Sequence, residues 1–315
     1  FPPPVKLRYY SRNQRNSGRI NPFSIPMTSR TRAVLALLLS VLLFSTSGLL
    51  IKLSSWDALA LNGARSLIAA AVIWLYLRHP HFTWSRVQVG GAILYALTII
   101  TFVQATKWTT AANAIFLQFS APLWVALFGI RLLGERPKRS DWATMIAVAF
   151  GMLLFFGGDL TRTGYWGNLL AIFSGMCMAL MLITLRLQKE GSPTETILLG
   201  NLIAAAIGLP FILLGDQPLN PREISIILFL GIFQQGLPFI IVTLVIKQLR
   251  AIEMILIQTL EPILNPIWVY LFIDERPSPS ALLGAVIVTT AITINAIATA
   301  RRTDQEEHTG QQART

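Results

Sequence analysis

Residues 107–137 read KWTTAANAIFLQFSAPLWVALFGIRLLGERP, and residues 247–277 read KQLRAIEMILIQTLEPILNPIWVYLFIDERP. At a constant offset of 140, Lys107 falls on Lys247, Ala111 on Ala251, Ile115 on Ile255, Gln118 on Gln258 and Pro122 on Pro262. Both copies close on Glu-Arg-Pro, as Glu135-Arg136-Pro137 and Glu275-Arg276-Pro277. Ungapped agreement over such a length marks an internal duplication. Upstream the spacing shortens. Leu67-Ile68-Ala69-Ala70-Ala71 recurs as Leu202-Ile203-Ala204-Ala205-Ala206 at offset 135, and Lys52-Leu53 aligns with Arg186-Leu187 at offset 134.

Composition places the two copies in a membrane. Of 315 residues, 53% are hydrophobic and 13% charged, against roughly 25% charged in a soluble domain. The single cysteine, Cys177, excludes an intrachain disulfide. A net charge of +11 does not point to nucleic acid. Lys6, Arg8, Arg12, Arg15, Arg19, Arg30 and Arg32 crowd the N-terminal tail, and most other cations flank apolar runs, as the membrane charge rule requires. Residues 1–32 form that basic tail, whose polar, proline-containing composition predicts disorder. Met27 is a candidate start, with the residues before it an upstream extension. Residues 300–315 form a polar, solvated C-terminal tail.

Between the tails, the sequence predicts an all-α integral membrane protein with about ten transmembrane helices, each of roughly 20 apolar residues. The spans fall near 33–53, 58–78, 87–106, 109–133, 141–157, 165–187, 195–214, 224–245, 250–273 and 280–299. Helices are favoured because backbone in lipid must satisfy its own polar groups, and the runs are too continuous for barrel strands. Alternate connections are rich in cations: Arg78 and Arg86; Arg131, Arg136, Lys138 and Arg139; Arg186 and Lys189; Lys247 and Arg250. The others carry only Lys52, Lys107, Arg162, Arg222 and Arg276. The rich set is expected in the cytoplasm together with both termini.

Residues 33–157 and 165–299 then hold five spans each. An odd number forces the two repeats to insert in opposite senses, which gives two inverted five-helix repeats. Equivalent corners mostly differ in charge as this requires: Arg131, Lys138 and Arg139 align with Leu271, Ser278 and Pro279, while Lys107 and Arg276 are exceptions that stay on the outer side. Two similar halves that exchange conformations convert an outward-open cavity into an inward-open one, the physical basis of alternating access. The pattern therefore points to a transporter with its site near mid-membrane.

The first half carries Pro122 … Gly134-Glu135, the second Leu260-Glu261-Pro262 … Asp274-Glu275, and Arg65 stands in the second span. In these features the chain resembles the drug/metabolite transporter superfamily, EamA family, over about residues 33–299. Asp274 departs from the Gly usual before the second Glu. The resemblance implies transport of a small metabolite such as an amino acid or drug-like compound, with efflux the favoured direction. It also implies a cavity between the third, fourth, eighth and ninth spans, with help from the first and sixth.

Several in-span residues are candidates to bind substrate. Glu261 is the one acid deep in a span, where a charge costs a few kcal/mol on insertion scales. Its repeat partner is Ala121, so the duplicated framework does not demand it. It can be protonated, pair with a cation or bind a substrate amine. Arg65, opposite Gly200 in the repeat, can meet a substrate carboxylate, pair with Glu261, or snorkel towards Asp57. Gln118 and Gln258 can bind substrate or bridge helices, Trp124 can stack on substrate or pack in the core, and Gln235 lies in an interruption of the eighth span. Ser45, Thr46, Ser47 and Gly48 of the first span can line a cavity or serve close packing. Gly236, Pro238, Pro122, Pro262 and Pro266 weaken their helices and are candidate hinges or gates.

His79, His81 and His308 all lie in loops or tail, so no metal site is expected in the membrane, and no cofactor is implied. The chain lacks a Walker motif, so ATP drive would need a separate subunit, and a secondary transporter of the cell (inner) membrane is the expected reading. Proton coupling through Glu261 and facilitated diffusion both fit. The expected partners are a small-molecule substrate, the lipid bilayer and a second copy of the chain as a homodimer, with no nucleic acid. A nucleotide-sugar or sugar-phosphate transporter is the alternative, but it would want several cations facing the cavity, and Arg65 alone qualifies. A channel is a further competitor.

Overall fold

Backbone polar groups in lipid must be satisfied within the chain, and helix does this locally. The computed structural model describes residues 30–132, 139–156, 162–188, 192–245 and 257–312, and among them there is helix and no strand. The first span is split into α1 (Arg30–Ser45) and α2 (Ser47–Leu53). Then follow α3 (Ala58–Leu77), α4 (Arg86–Trp108), α5 (Ala111–Gln118), α6 (Ala121–Leu132), α7 (Arg139–Leu154), α8 (Arg162–Leu187) and α9 (Pro193–Leu214). The eighth span is composite: α10 (Pro221–Phe229), a π-helical segment (Leu230–Gly236) and α11 (Leu237–Val245). Two more helices, α12 (Leu260–Ile273) and α13 (Pro279–Gln312), close the chain.

Among the described residues, seven helical stretches are long and apolar enough to cross a membrane, and three shorter apolar ones lie at Trp142–Leu154, Leu260–Ile273 and Pro279–Asn295. The last helix continues through the polar C-terminal segment to Gln312. No proline follows Pro279 to stop it, and Arg301, Arg302, Glu306 and Glu307 are good helix formers.

Local sequence sets the helix ends. Ser192 and Glu195 form a reciprocal capping box at the start of α9, with Pro193 in its first turn. Asn220 accepts from the Glu223 amide ahead of α10, Ser85 from that of Gln88 and Thr110 from that of Asn113. Asp274 ends α12 in the left-handed region, at φ 52° and ψ 26°. Glycine favours that region, and Asp is one of the few other residues to tolerate it. This explains why Asp can stand where the family pattern has Gly.

Breaks inside spans are also placed by sequence. The fourth span is interrupted at Phe119 and Ser120, and the start of α12 at Thr259. Phe119 and Thr259 lie 140 residues apart, the offset of the duplication. Pro122 and Pro262 stand three residues beyond each break, where a missing amide is least costly.

Close packing follows the small residues. Helices α3 and α9 cross at Gly63 and Gly208, and α7 meets α13 at Gly151 and Gly284. Helix α4 lies between α8 and α9, α11 rests on α1, and α12 packs on α1, α2 and α5. One large apolar cluster joins Ile51, Leu61, Phe102, Ile115, Phe155 and Leu230; a second joins Ile73, Tyr95, Ile99, Leu198 and Ile240. Leu75, Ile146, Leu153, Leu213 and Leu283 point outward, as a lipid-facing surface requires.

Candidate functional site

Three polar assemblies interrupt this apolar interior. The first surrounds Arg65. Its side chain is only 2% exposed and does not snorkel. Nε donates to Asn62 Oδ1 and Nη1 to Gln234 Oε1, each at 3.3 Å. Asp57, the expected attraction, instead accepts from Gln217 Nε2 at 2.7 Å. Beside Arg65, Gln235 Nε2 donates to Asn201 Oδ1, and to Ser66 Oγ and Tyr95 Oη, both at 3.4 Å. The π-helical turn makes this possible. Its wider winding brings both Gln234 and Gln235 to buried positions against α3 and α4. Gly231 and Gly236 let it approach, since a Cβ on either would strike Ile68 or Val72 of α3. Pro238 follows, and its carbonyl accepts from Ser40 Oγ at 3.0 Å, tying α11 to α1.

The second assembly lies between α12 and the first span. Glu261, Asn265 and Trp268 recur at i, i+4 and i+7, which puts them on one helical face. Asn265 Nδ2 donates to Ser47 Oγ at 3.1 Å and Trp268 Nε1 to Ser45 Oγ at 2.9 Å. Glycine is needed at position 48, where a Cβ would run into Asn265 and Ala111. Glu261 continues this face one turn earlier, half-buried and with neither hydrogen bond nor ion pair among the described residues. Pro262 is buried and Pro266 lies within α12. The described contacts do not pair Glu261 with Arg65.

The third assembly ties together the ends of several helices. Lys52 Nζ meets Glu275 Oε2 at 2.9 Å and donates to the Thr109 carbonyl at 2.6 Å. Glu275 Oε1 accepts from the Ala111 amide at 2.7 Å, at the N-terminus of α5 where a carboxylate is favoured. Lys107 Nζ donates to the Ser54 carbonyl. Glu223 accepts from Ser54 Oγ, Ser55 N and Ser55 Oγ at 2.7, 2.9 and 2.8 Å. Residues from both sequence repeats are thereby sewn together.

The remaining candidates are placed individually. Gln118 bridges helices: Nε2 donates to Ser174 Oγ at 2.8 Å, and that hydroxyl donates to the Thr98 carbonyl at 2.8 Å. Trp124 donates to Ser120 Oγ at 3.1 Å and stacks on Phe128. Gln258 is half-buried, and Pro122 is exposed. Lys52, Glu223, Glu275, Asn62 and Asn265 were not among the sequence candidates. Asn265 had a signal, since its spacing from Glu261 puts both on one helical face.

The EamA-like transporter family model matches residues 31–157 and 165–297. The chain belongs to the EamA-like transporter family. It is a multi-pass membrane protein with relatives named as exporters. The threonine/homoserine exporter RhtA of Escherichia coli K12 is 30% identical over 179 residues, 55% of this chain and 59% of that protein; the matched stretch thus spans about three fifths of its length. RhtA of Salmonella typhimurium LT2 is 27% identical over 76% of this chain and 82% of its own. The uncharacterized transporter YwfM of Bacillus subtilis is 24% identical over 79% of this chain and 86% of its own. A solved structure titled only as a crystal structure of a protein superposes with a TM-score of 0.62 at 21% identity, covering 87% of this chain and all of that one. That last likeness speaks to the fold of this EamA-like chain alone.

Proposed function

We propose that this EamA-like protein is a secondary transporter of the cell membrane that exports a small organic metabolite, an amino acid or similar compound. Its two five-span inverted repeats exchange conformations, with both termini cytoplasmic and the substrate bound between them. The exporter relatives support the substrate class and direction. The observation that carries the reading is the α12 face. Glu261 sits in the first turn of α12, without a partner among the described residues, on the face where the second repeat meets the first span. A carboxylate left unpaired there costs a few kcal/mol on insertion scales, so a role beyond packing accounts for it. A substrate ammonium group suits it chemically. Arg65, Gln235, Gln118, Gln258 and Trp124 remain the further candidates for contact with substrate, and Pro122, Pro262, Pro266, Gly236 and Pro238 for the moving parts.

Counterflow in proteoliposomes tests this. Vesicles loaded with unlabelled threonine, homoserine or another amino acid of a panel should take up the labelled form faster than empty ones, with saturation. Glu261→Gln should slow that exchange several-fold without lowering the melting temperature. Linear, unsaturated flux would show a channel, and no exchange with any amino acid would remove the substrate assignment.

A further inference from the structure

Arg65 is the one buried Lys or Arg among the described residues, and no carboxylate among those residues pairs with it. An unpaired guanidinium at a helix centre costs about 2.5–3.5 kcal/mol on insertion scales. Its two hydrogen bonds go to neutral amide oxygens. Beside it the Asn62 amide group, Nδ2, is buried without a partner. The pair therefore presents a surplus of donors and a full positive charge, with nothing negative among the described residues to receive either.

The duplication shows that the fold itself does not need this arrangement. At the 135 offset, Asn62 and Arg65 align with Ile197 and Gly200. Carrying the 140 offset back along the third span sets Gln234 opposite Leu94. Arg65 and the two polar residues that accept from its guanidinium thus have apolar or absent side chains in the other copy. The adjoining knot behaves differently: Ser66 aligns with Asn201 and Tyr95 with Gln235, polar on both sides. That knot keeps polar side chains in both halves. The Arg65 cluster has been added to one.

We propose that Arg65, Asn62 and Gln234 form a binding site for a small monoanionic group, the carboxylate of the transported amino acid or a free anion such as chloride. Arg65 supplies the charge and a planar pair of donors suited to a carboxylate. Asn62 Nδ2 adds a third donor from the same face of α3, three residues away. Gln234 holds the guanidinium and, being on the π-helical turn, links occupancy to the eighth span. In this structure the side chain is sealed, so entry requires the π-helical turn to part from α3. The carboxylate source rests on the transport reading above; the anion site does not.

Thermal unfolding of the purified protein in low-chloride buffer at fixed ionic strength tests the site, with L-threonine, L-threoninamide, acetate and chloride as probes. A ligand that binds the folded state raises the midpoint by mass action. Threonine should raise it and threoninamide, which lacks the carboxylate, should not. Acetate acting like threonine would confirm carboxylate recognition; chloride alone acting would assign the site to an inorganic anion. Arg65→Gln should abolish the shift, and Asn62→Ile, the residue of the other repeat, should weaken binding about tenfold, as loss of one charge-assisted hydrogen bond does. If Arg65→Gln does not fold, Arg65→Lys and Asn62→Ile carry the test. Equal shifts in wild type and Asn62→Ile, or no shift with any anion, would overturn the site. Absent counterflow with an Arg65-dependent anion shift would sink the transport reading and leave the site standing.

Discussion

Gly208→Leu should yield little or no folded protein. Helices α3 and α9 touch here backbone to backbone. A Cβ on Gly208 would lie 2.7 Å from the Leu59 carbonyl oxygen and 2.8 Å from the Gly63 nitrogen, and a Cβ on Gly63 would lie 2.7 Å from the Gly208 Cα. Backbone atoms of a packed helix cannot turn aside as a flexible side chain can, so the helices must separate along their length. Overpacking of a core costs about 1–3 kcal/mol where side chains can adjust, and this contact offers no such adjustment. Separation also pulls Asn201 on α9 from Gln235 and strands further buried polar groups, each at about 1–3 kcal/mol. We therefore expect a loss above about 3 kcal/mol, read as missing monodisperse protein in detergent size-exclusion. Gly90→Leu is the matched control, because a Cβ there meets nothing within 4 Å. Normal yield from Gly208→Leu would show that the α3–α9 crossing is not as close as described.

Much of this arrangement was legible in the sequence. Apolar run lengths located the seven described stretches long and apolar enough to cross a membrane, and the helix breaks at Phe119 and Thr259 fall at equivalent places of the duplicated stretch. Gln118 was readable as a helix bridge because an in-span amide must find a partner. The interruption at Gln234 and Gln235 was visible, but its winding was not: a π-helical turn depends on how Gly231 and Gly236 seat against α3. Arg65 could be picked out as a buried cation, while its amide partner Gln234, 169 residues away, could not. Lys52 read only as a cation of a connection and Glu275 only as part of the repeated Glu-Arg-Pro, and their pairing was hidden for the same reason. Periodicity reports which face of a helix is apolar, and says nothing of which distant end it meets.

Lys52→Gln should open the end of the molecule that Lys52 and Glu275 close. In the proposed orientation, with both termini cytoplasmic, this end faces the outside of the cell. Its side chains are 18% and 22% exposed, so water screens the pair far less than at an open surface. Lys52 also satisfies the Thr109 carbonyl, and Glu275 the first amide of α5. Loss of the cation leaves Glu275 with the Ala111 amide alone, at a cost of about 1.5–3 kcal/mol for the lost charged hydrogen bonds. At 1.4 kcal/mol per factor of ten, the open form should gain about tenfold or more in population. A cysteine at Leu49, buried beside Ala111 and Val269 just below the pair, reports this once Cys177 is replaced by Ala. A membrane-impermeant thiol reagent added outside should label it at least about tenfold faster in Lys52→Gln, by the same conversion. Glu275→Gln should act in the same direction but more weakly, because its amide oxygen can still accept from Ala111. The double exchange Lys52→Glu/Glu275→Lys should restore only part of the closure. It rebuilds the ion pair but points an ammonium at the positive N-terminus of α5, where a carboxylate belongs. Full restoration would mean that charge attraction alone shuts this end, and unchanged labelling in Lys52→Gln would mean that the pair does not shut it at all.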